Sequence, residues 1–373
     1  MSTKVYTEGN QTIENSPTTL FTAKKTTAIG SHRTAAKIFT FTDIQDAFFK
    51  EKEVAQAWRE KTEEDHKAVF NLFLEIFGDI PADAIDKGIM RDFKAVIVQL
   101  PPNMRKIPKF TTKSIAEIIA TKPKKTLSAH TVNKYISRLS NLFSFAVSHG
   151  YMQVNPAGGF KVKLHSRPDE EREAYTIEDL QKLFDTPDTS QPSRYWAPLI
   201  ALYAGCRLEE ICQLHLEDIR QEGDVWVFDI NNRGEKVLKN LSSVRLVPIH
   251  PQLVDLGLLK YTEQLKARGE TRLFPELRRR RDGYGQMVGR WFQYFKKLRG
   301  IGQGKTFHSF RHTFITHLKH KQVDPFMIHE LDGHTINSET MGRYGKRYTP
   351  EILLREAIEK IDYGIELNVA YQR

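Results

Sequence analysis

Cysteine is nearly absent, with two in 373 residues, so no disulfide framework can carry this fold. Cys206 and Cys212 stand six apart, a spacing that fits neither a CxxC pair nor a zinc ribbon. Both lie in an apolar helical pattern and read as small buried hydrophobes. Long apolar runs are missing as well: none approaches the roughly 20 residues a helix needs to span a bilayer. The opening MSTKVYTEGNQ has neither the basic nor the apolar segment of a secretory signal. A cytoplasmic protein is therefore expected. No internal repeat is visible. Acidic residues are in deficit, 46 against 56 Lys plus Arg, which leaves a formal net charge of +10 and a sequence pI near 9.3. That excess favours a polyanionic partner, nucleic acid before membrane.

What is present is ordinary globular material, 40% hydrophobic and 27% charged. The length exceeds one typical domain, so two domains are expected. Residues 1–35 are polar, rich in threonine, serine and lysine, and read as a flexible arm or a remnant. Residues 36–160 carry helical signals throughout. TEEDHKAVFNLFLEIFG predicts a helix with Thr62 as N-cap, Asp65 as capping partner and Gly78 as stop. SAHTVNKYISRLSNLFSFAVSHG predicts another from Ser128 to Gly150, with Val132, Tyr135, Ile136, Leu139, Leu142, Phe143 and Ala146 on one stripe. From NPAGG onward proline, glycine and charge replace periodicity, and residues 161–173 read as a linker. Residues 174–373 are mixed. RYWAPLIALYAG is a helix stopped at Gly205, RLEEICQL restarts one, and DVWVFDINN and SSVRLVPIH read as strands joined by a polar turn. The expected class is α+β, mainly helical, in two domains.

The stretch GIGQGKTFHSFRH, residues 300–312, raises three chemical readings. A phosphate loop of the Walker A kind needs its first glycine at 299, which is Arg299, and a preceding strand; QYFKKLRG is helical instead. The glycines read as a helix stop and a tight loop. Metal is the second reading, since His308 and His312 are four apart and His317, His320, His329 and His334 follow. HELDGH is not HExxH, however, because Gly333 interrupts it and the second histidine comes five residues on. Standing alone, these would be satisfied core or surface histidines. The third reading is phosphodiester chemistry. His308 and Arg311 are three apart on one helical face, and a guanidinium there can fork two bonds onto phosphate oxygens.

HSFRH resembles the His-x-x-Arg motif of the tyrosine recombinases, the phage-type integrases, and the resemblance recurs in chain order. AGCRLEEICQLHLEDI resembles the first family box, with Arg207 at a helix start and Glu210 one turn on. KNLSSVRLVPIH resembles the hairpin that carries the family lysine, here Lys239, with Lys236 a rival. LDGHTINSETMGRYGKRY resembles the terminal box, with His334 and a tyrosine nucleophile assigned to Tyr344; the interval from His334 is one residue longer than the commonest, and Tyr348 is the rival. TVNKYISRLSNLFSFAVSHGYMQVNPAGG matches the end of the family's helical core-binding domain.

The resemblance implies a helical core-binding domain and an α+β catalytic domain of the DNA breaking-rejoining type, closing around double-stranded DNA. It implies Arg207, Lys239, His308, Arg311, His334 and Tyr344 as the catalytic set, Glu210 as their anchor, and neither cofactor nor metal. The run Arg278, Arg279, Arg280 and Arg281 is a candidate DNA-binding loop or a solvated charge run. Trp291, Phe292 and Phe295 read as core by their helical spacing. The final helix, with Ile352, Leu353, Ala357, Ile358 and Ile361 apolar, docks either in cis or on a neighbouring subunit of a tetramer on DNA. The expected protein is a nucleoid-associated recombinase of a phage or other mobile element, with an accessory DNA-bending or directionality protein as a possible further partner. A chromosome-resolving relative, a non-catalytic DNA-binding relative and a histidine-based metallohydrolase are the rivals.

Overall fold

The computed structural model describes residues 38–55, 58, 60–163, 173–334 and 347–367. The chain divides into two compact units at residues 165/166.

The first unit is helical: α1 (Phe41–Val54), α2 (Glu60–Phe77), α3 (Lys87–Ile97), α4 (Ile115–Ala120) and α5 (Ala129–Ser148). Local chemistry sets most of their starts. Thr40 and Asp43 form a capping box on α1, Ser114 and Glu117 one on α4, and Ser128 caps α5 through Thr131 N. The expected N-cap at Thr62 is not one. The helix begins two residues earlier with Glu60 and Glu63 in its first turn, where acidic groups suit the helix dipole. Asp65, the expected capping partner, instead meets Arg138 of α5 at 2.7 Å. The core is rich in phenylalanine: Phe41, Phe70, Phe73, Phe93 and Phe143 are fully buried, and the Phe41 and Phe73 rings stack at 4.4 Å.

The second unit is α+β. It contains α6 (Ile177–Phe184), α7 (Pro192–Ala204), α8 (Leu208–Cys212), α9 (Pro251–Asp255), α10 (Leu258–Ala267), α11 (Gly285–Leu298), α12 (Ser309–His320), α13 (Pro325–Asp332) and α14 (Pro350–Glu356). Between α8 and α9 lie β1 (Ile219–Glu222), β2 (Val225–Ile230) and β3 (Arg245–Pro248), antiparallel in the order β1-β2-β3. Phe228 pairs with Ile219 on one side and Val247 on the other. The sequence pattern points to β2 and β3 and misses β1, whose residues IRQE carry three polar side chains in four positions.

The most apolar helix, α7, runs through the middle of this unit, with Tyr195 through Ala204 almost entirely buried. It stops at Gly205, whose φ of +63° is left-handed and whose added Cβ would lie 2.5 Å from the Phe314 ring of α12. Only glycine permits α12 to pack this closely. Phe292 and Phe295 are core residues, Trp291 is half-buried, and both cysteines are buried. The terminal segment packs on its own unit: Leu353, Ala357, Ile358, Ile361 and Tyr363 are buried, and Tyr363 Oη donates to Leu202 O at 2.9 Å.

Candidate active site

Arg207 is the N-cap residue of α8, two positions past the Gly205 turn, and Glu210 sits one turn inside the helix. Glu210 Oε2 accepts from Arg207 N at 2.9 Å and Oε1 from Arg207 Nη1 at 2.6 Å. From the other side comes Arg245 of β3, fully interior, whose Nη2 donates to Glu210 Oε2 at 2.9 Å. One carboxylate thus lies between two guanidiniums. Burial alone would push its pKa up, but Arg245 first and then Arg207 hold it down at about 2. Arg245 also donates to Leu331 O at 2.7 Å and Ser243 O at 2.8 Å, which locks β3 to α13.

Arg311, on the first turn of α12, is 2% exposed. Its Nη1 donates to Gly205 O at 3.0 Å, and its Nη2 donates to Asp332 O and lies 3.5 Å from His334 Nε2. Burial, then the charges of Arg207 and Arg245, push its pKa down to about 10, with Asp332 working the other way. It keeps its proton at neutral pH. The mutual influence of the three guanidiniums places Arg207, Arg245 and Arg311 in one electrostatic neighbourhood.

Asp332 is the second carboxylate of the cluster. Its Oδ2 meets His334 Nδ1 at 2.8 Å and its Oδ1 accepts from His334 N at 2.8 Å. Burial pushes its pKa up, but the bond from His334 and the Arg311 charge outweigh it and leave the carboxyl below its ordinary value. With Nδ1 committed to Asp332, the other ring nitrogen of His334 is turned toward Arg311.

The remaining predicted residues divide. His308 is the N-cap residue of α12 rather than a member of it, and its ring lies 5.0 Å from that of His312. Lys236 is buried, with its Nζ 2.6 and 2.7 Å from the two oxygens of Asp218. Lys239 is exposed. Next to it, Asn240 Oδ1 accepts from Ser243 Oγ at 2.5 Å, and that hydroxyl accepts from Arg207 Nη1 at 3.3 Å. Tyr344 lies outside the described residues. Tyr348 is partly buried against the core, and its N–H donates to Glu330 Oε2 at 3.0 Å. Arg278, Arg279, Arg280 and Arg281 are mainly exposed in a turn bridged by Arg280 and Gly283. Glu209, beside the catalytic candidates, accepts from Tyr284 N at 2.9 Å and Gly285 N at 2.8 Å, so that turn is tied to α8. Gly283, at φ +101°, has no room for a side chain against that carboxylate.

His329, Asp332 and His334 offer donor atoms within 4.8 Å of one another, a set that fits a divalent metal by type. The Arg311 guanidinium, 3.6 Å from Asp332 Oδ1, is a fixed positive charge that works against a cation there.

With this geometry in place, likeness to known proteins decides the family. The profile described as "Phage integrase family" matches residues 174–349. The tyrosine recombinase XerC of Thermodesulfovibrio yellowstonii is 30% identical over 228 residues, which cover 57% of this chain and 70% of that protein. The chain belongs to the tyrosine recombinase family. Tyrosine recombinase XerA of Pyrococcus horikoshii is 29% identical over 253 residues, covering 67% of this chain and 80% of XerA. Among solved structures, a lambda integrase dimer bound to a COC′ core site superposes with a TM-score of 0.55 at 18% identity, covering 83% of this chain and 98% of that one. The Tn1549 transposon integrase in complex with transposon right end DNA gives 0.55 at 18% identity, covering 87% and 99%. These two share the fold. As a member of this family the chain is a site-specific recombinase of the tyrosine type.

Two members of the cluster carry no family signature in the sequence. Arg245 could have been found as a cation at an inward position of an otherwise apolar strand, SVRLVPI, which requires an internal anion. Asp332 had a weaker signal, an acid two residues before His334.

Proposed function

We propose that the chain is an integrase of a phage or other mobile element that cuts and rejoins double-stranded DNA through a 3′-phosphotyrosyl intermediate, without metal or ATP. The observation that carries this reading is the buried cluster in which Arg207 and Arg311 stand together, each already held by a carboxylate-bearing partner. A phosphodiester repels nucleophiles, and negative charge grows on its non-bridging oxygens as a fifth ligand adds. Two permanently charged guanidiniums meet that charge at fixed positions; loss of one such donor costs about 3–4 kcal/mol of transition-state stabilisation.

Each remaining group has one task. Tyr344 Oη attacks phosphorus; forming its phenolate at pH 7 costs about 4 kcal/mol unless a base or positive field helps. His308 and the arginines meet that need. The P–O5′ bond breaks as Lys239 gives the departing oxygen its proton. His334, oriented by Asp332, stands beside Arg311 at a phosphate oxygen. The ester is exchanged rather than hydrolysed, so rejoining runs the steps in reverse and draws on no external energy. DNA contact by Arg278, Arg279, Arg280 and Arg281 adds to binding in a salt-dependent way. A tetramer on two DNA sites is the proposed working assembly.

The XerA and XerC relatives favour a second reading, a chromosome-resolving recombinase with the same chemistry. One experiment tests the chemistry common to both. Incubation with a nicked, end-labelled site in EDTA is expected to trap a covalent adduct that maps to Tyr344. An adduct formed by Tyr344→Phe moves the nucleophile to Tyr348, and loss of cleavage on chelation overturns the metal-free mechanism. Rejoining of an element's own end junctions, set against a chromosomal resolution site, separates the two readings.

A further inference from the structure

The turn between β2 and β3 carries Lys239, and it is fastened at both ends and in the middle. Gln213, at the C-cap of α8, uses its amide to satisfy both backbone groups of Val237: Oε1 accepts from Val237 N at 2.9 Å, and Nε2 donates to Val237 O at 3.3 Å. Asp218 is wholly buried and receives Lys236, and also Asn231 Nδ2 at 2.7 Å. Tyr284, at the start of α11, donates its hydroxyl to Glu235 Oε1 at 2.7 Å, with the Arg272 guanidinium 3.4 Å over its ring. Leu238 is buried. Beyond Lys239, the Asn240–Ser243–Arg207 chain of hydrogen bonds ties the turn to the arginine cluster. Lys239 is left exposed between these two sets of anchors, while the ammonium three residues earlier is spent on Asp218.

We propose that Gln213, Asp218 and Tyr284 are positioning residues that hold the 231–240 turn so that Lys239 meets the departing 5′ oxygen. The proposal rests on the reading of Lys239 as proton donor. A flexible four-carbon side chain on a wandering turn would reach the oxygen in few of its conformations. Fixing the backbone on either side of it removes most of that search, and a misplacement of about 1 Å in such a group costs up to about a hundredfold in rate. Gln213 is suited to this because it grips main chain, so its hold does not depend on any side chain of the turn.

A DNA substrate with sulfur in place of the bridging 5′ oxygen supplies the test, because a thiolate leaves without needing a proton. On ordinary DNA, Lys239→Ala, Gln213→Met and Tyr284→Phe are expected to slow single-turnover cleavage, in that order of severity, with Gln213→Met slower by about ten- to a hundredfold. On the sulfur substrate all three return to the wild-type rate within about threefold, an allowance for small displacements well under 1 Å. Lys239→Ala combined with Gln213→Met should be no slower than Lys239→Ala alone, since both changes remove one proton transfer. Equal slowing of Gln213→Met on both substrates, or additive losses in the double variant, would assign Gln213 a purely structural role. Tyr284→Phe, which deletes one hydroxyl bonded to the exposed Glu235, separates the same outcomes should Gln213→Met fold poorly. If Lys239→Ala is not rescued by sulfur, the proton-donor reading itself falls and takes the proposal with it. Rescue of Lys239→Ala without rescue of Gln213→Met and Tyr284→Phe removes the positioning role alone.

Discussion

Among the described residues of the helical unit, one buried polar side chain occurs, His66, while the second unit buries Glu210, Asp218, Lys236, Arg245, Arg311 and Asp332 among others. The two interiors follow different rules. In the first, phenylalanines at helical spacing gain stability from area removed from water, and any similar apolar side chain of the same volume would serve. In the second, charged groups sit where burial opposes their charge, and each is tolerated because a neighbour of opposite sign or a carbonyl is already in place. Apolar residues could fill that space with equal stability. Three guanidiniums around two carboxylates leave that interior with an excess of positive charge, which is what the proposed phosphate site calls for.

Substitutions should expose this difference, the largest effect coming from Glu210. Glu210→Ala strands Arg245 in the interior and releases Arg207, and is expected to cost about 3–5 kcal/mol in urea unfolding together with most DNA cleavage. A loss below about 1 kcal/mol, the scale of exposed pairs, would mean that the buried pair is ordinary surface chemistry. Acid should reach the same carboxylate. Its folded pKa of about 2 lies below the ordinary 4.5, so its stabilisation is complete above that ordinary value and disappears as pH falls toward 2. The shift corresponds to roughly 3 kcal/mol. The wild-type protein should therefore lose more stability than Glu210→Gln between pH 5 and pH 3, and parallel curves would remove Glu210 as the cause. Asp332→Asn keeps the shape of the side chain and removes its charge; cleavage is expected to fall about 10- to 100-fold with DNA affinity little changed, as befits a group that orients another. In a His334→Ala background the same change should do nothing more, whereas a further drop would show Asp332 acting through Arg311. The smallest effect belongs to the helical unit. Among the described residues one ring nitrogen of His66 has no hydrogen-bond partner, and the ring stacks on Trp58 at 4.1 Å, so His66→Phe should shift unfolding by less than about 1 kcal/mol.

Legibility from the sequence follows the same division. The helix that Ser128 caps and Gly150 follows could be read directly, because capping is chemistry between neighbours in the chain. Thr62 misled the reading because Glu60 and Glu63 already serve the helix start, and Asp65 answers to Arg138, seventy-three residues away. In the site, Arg207, Glu210, Arg311 and His334 were legible because they recur at short intervals that resemble family boxes. Arg245 and Asp332 were not, since what defines them is the charge they face across the fold. That the Lys236 ammonium is held by Asp218 is likewise hidden in the sequence, because the two stand eighteen residues apart.

Gly205 shows how little slack the arrangement has. It ends α7, its carbonyl accepts from Arg311, and the Phe314 ring occupies the place of its missing side chain. A library that randomises this chain to recognise new DNA could vary the arginine turn widely and still recover active clones, but position 205 should return as glycine in every survivor. The smallest residue in the neighbourhood is the one that selection cannot trade.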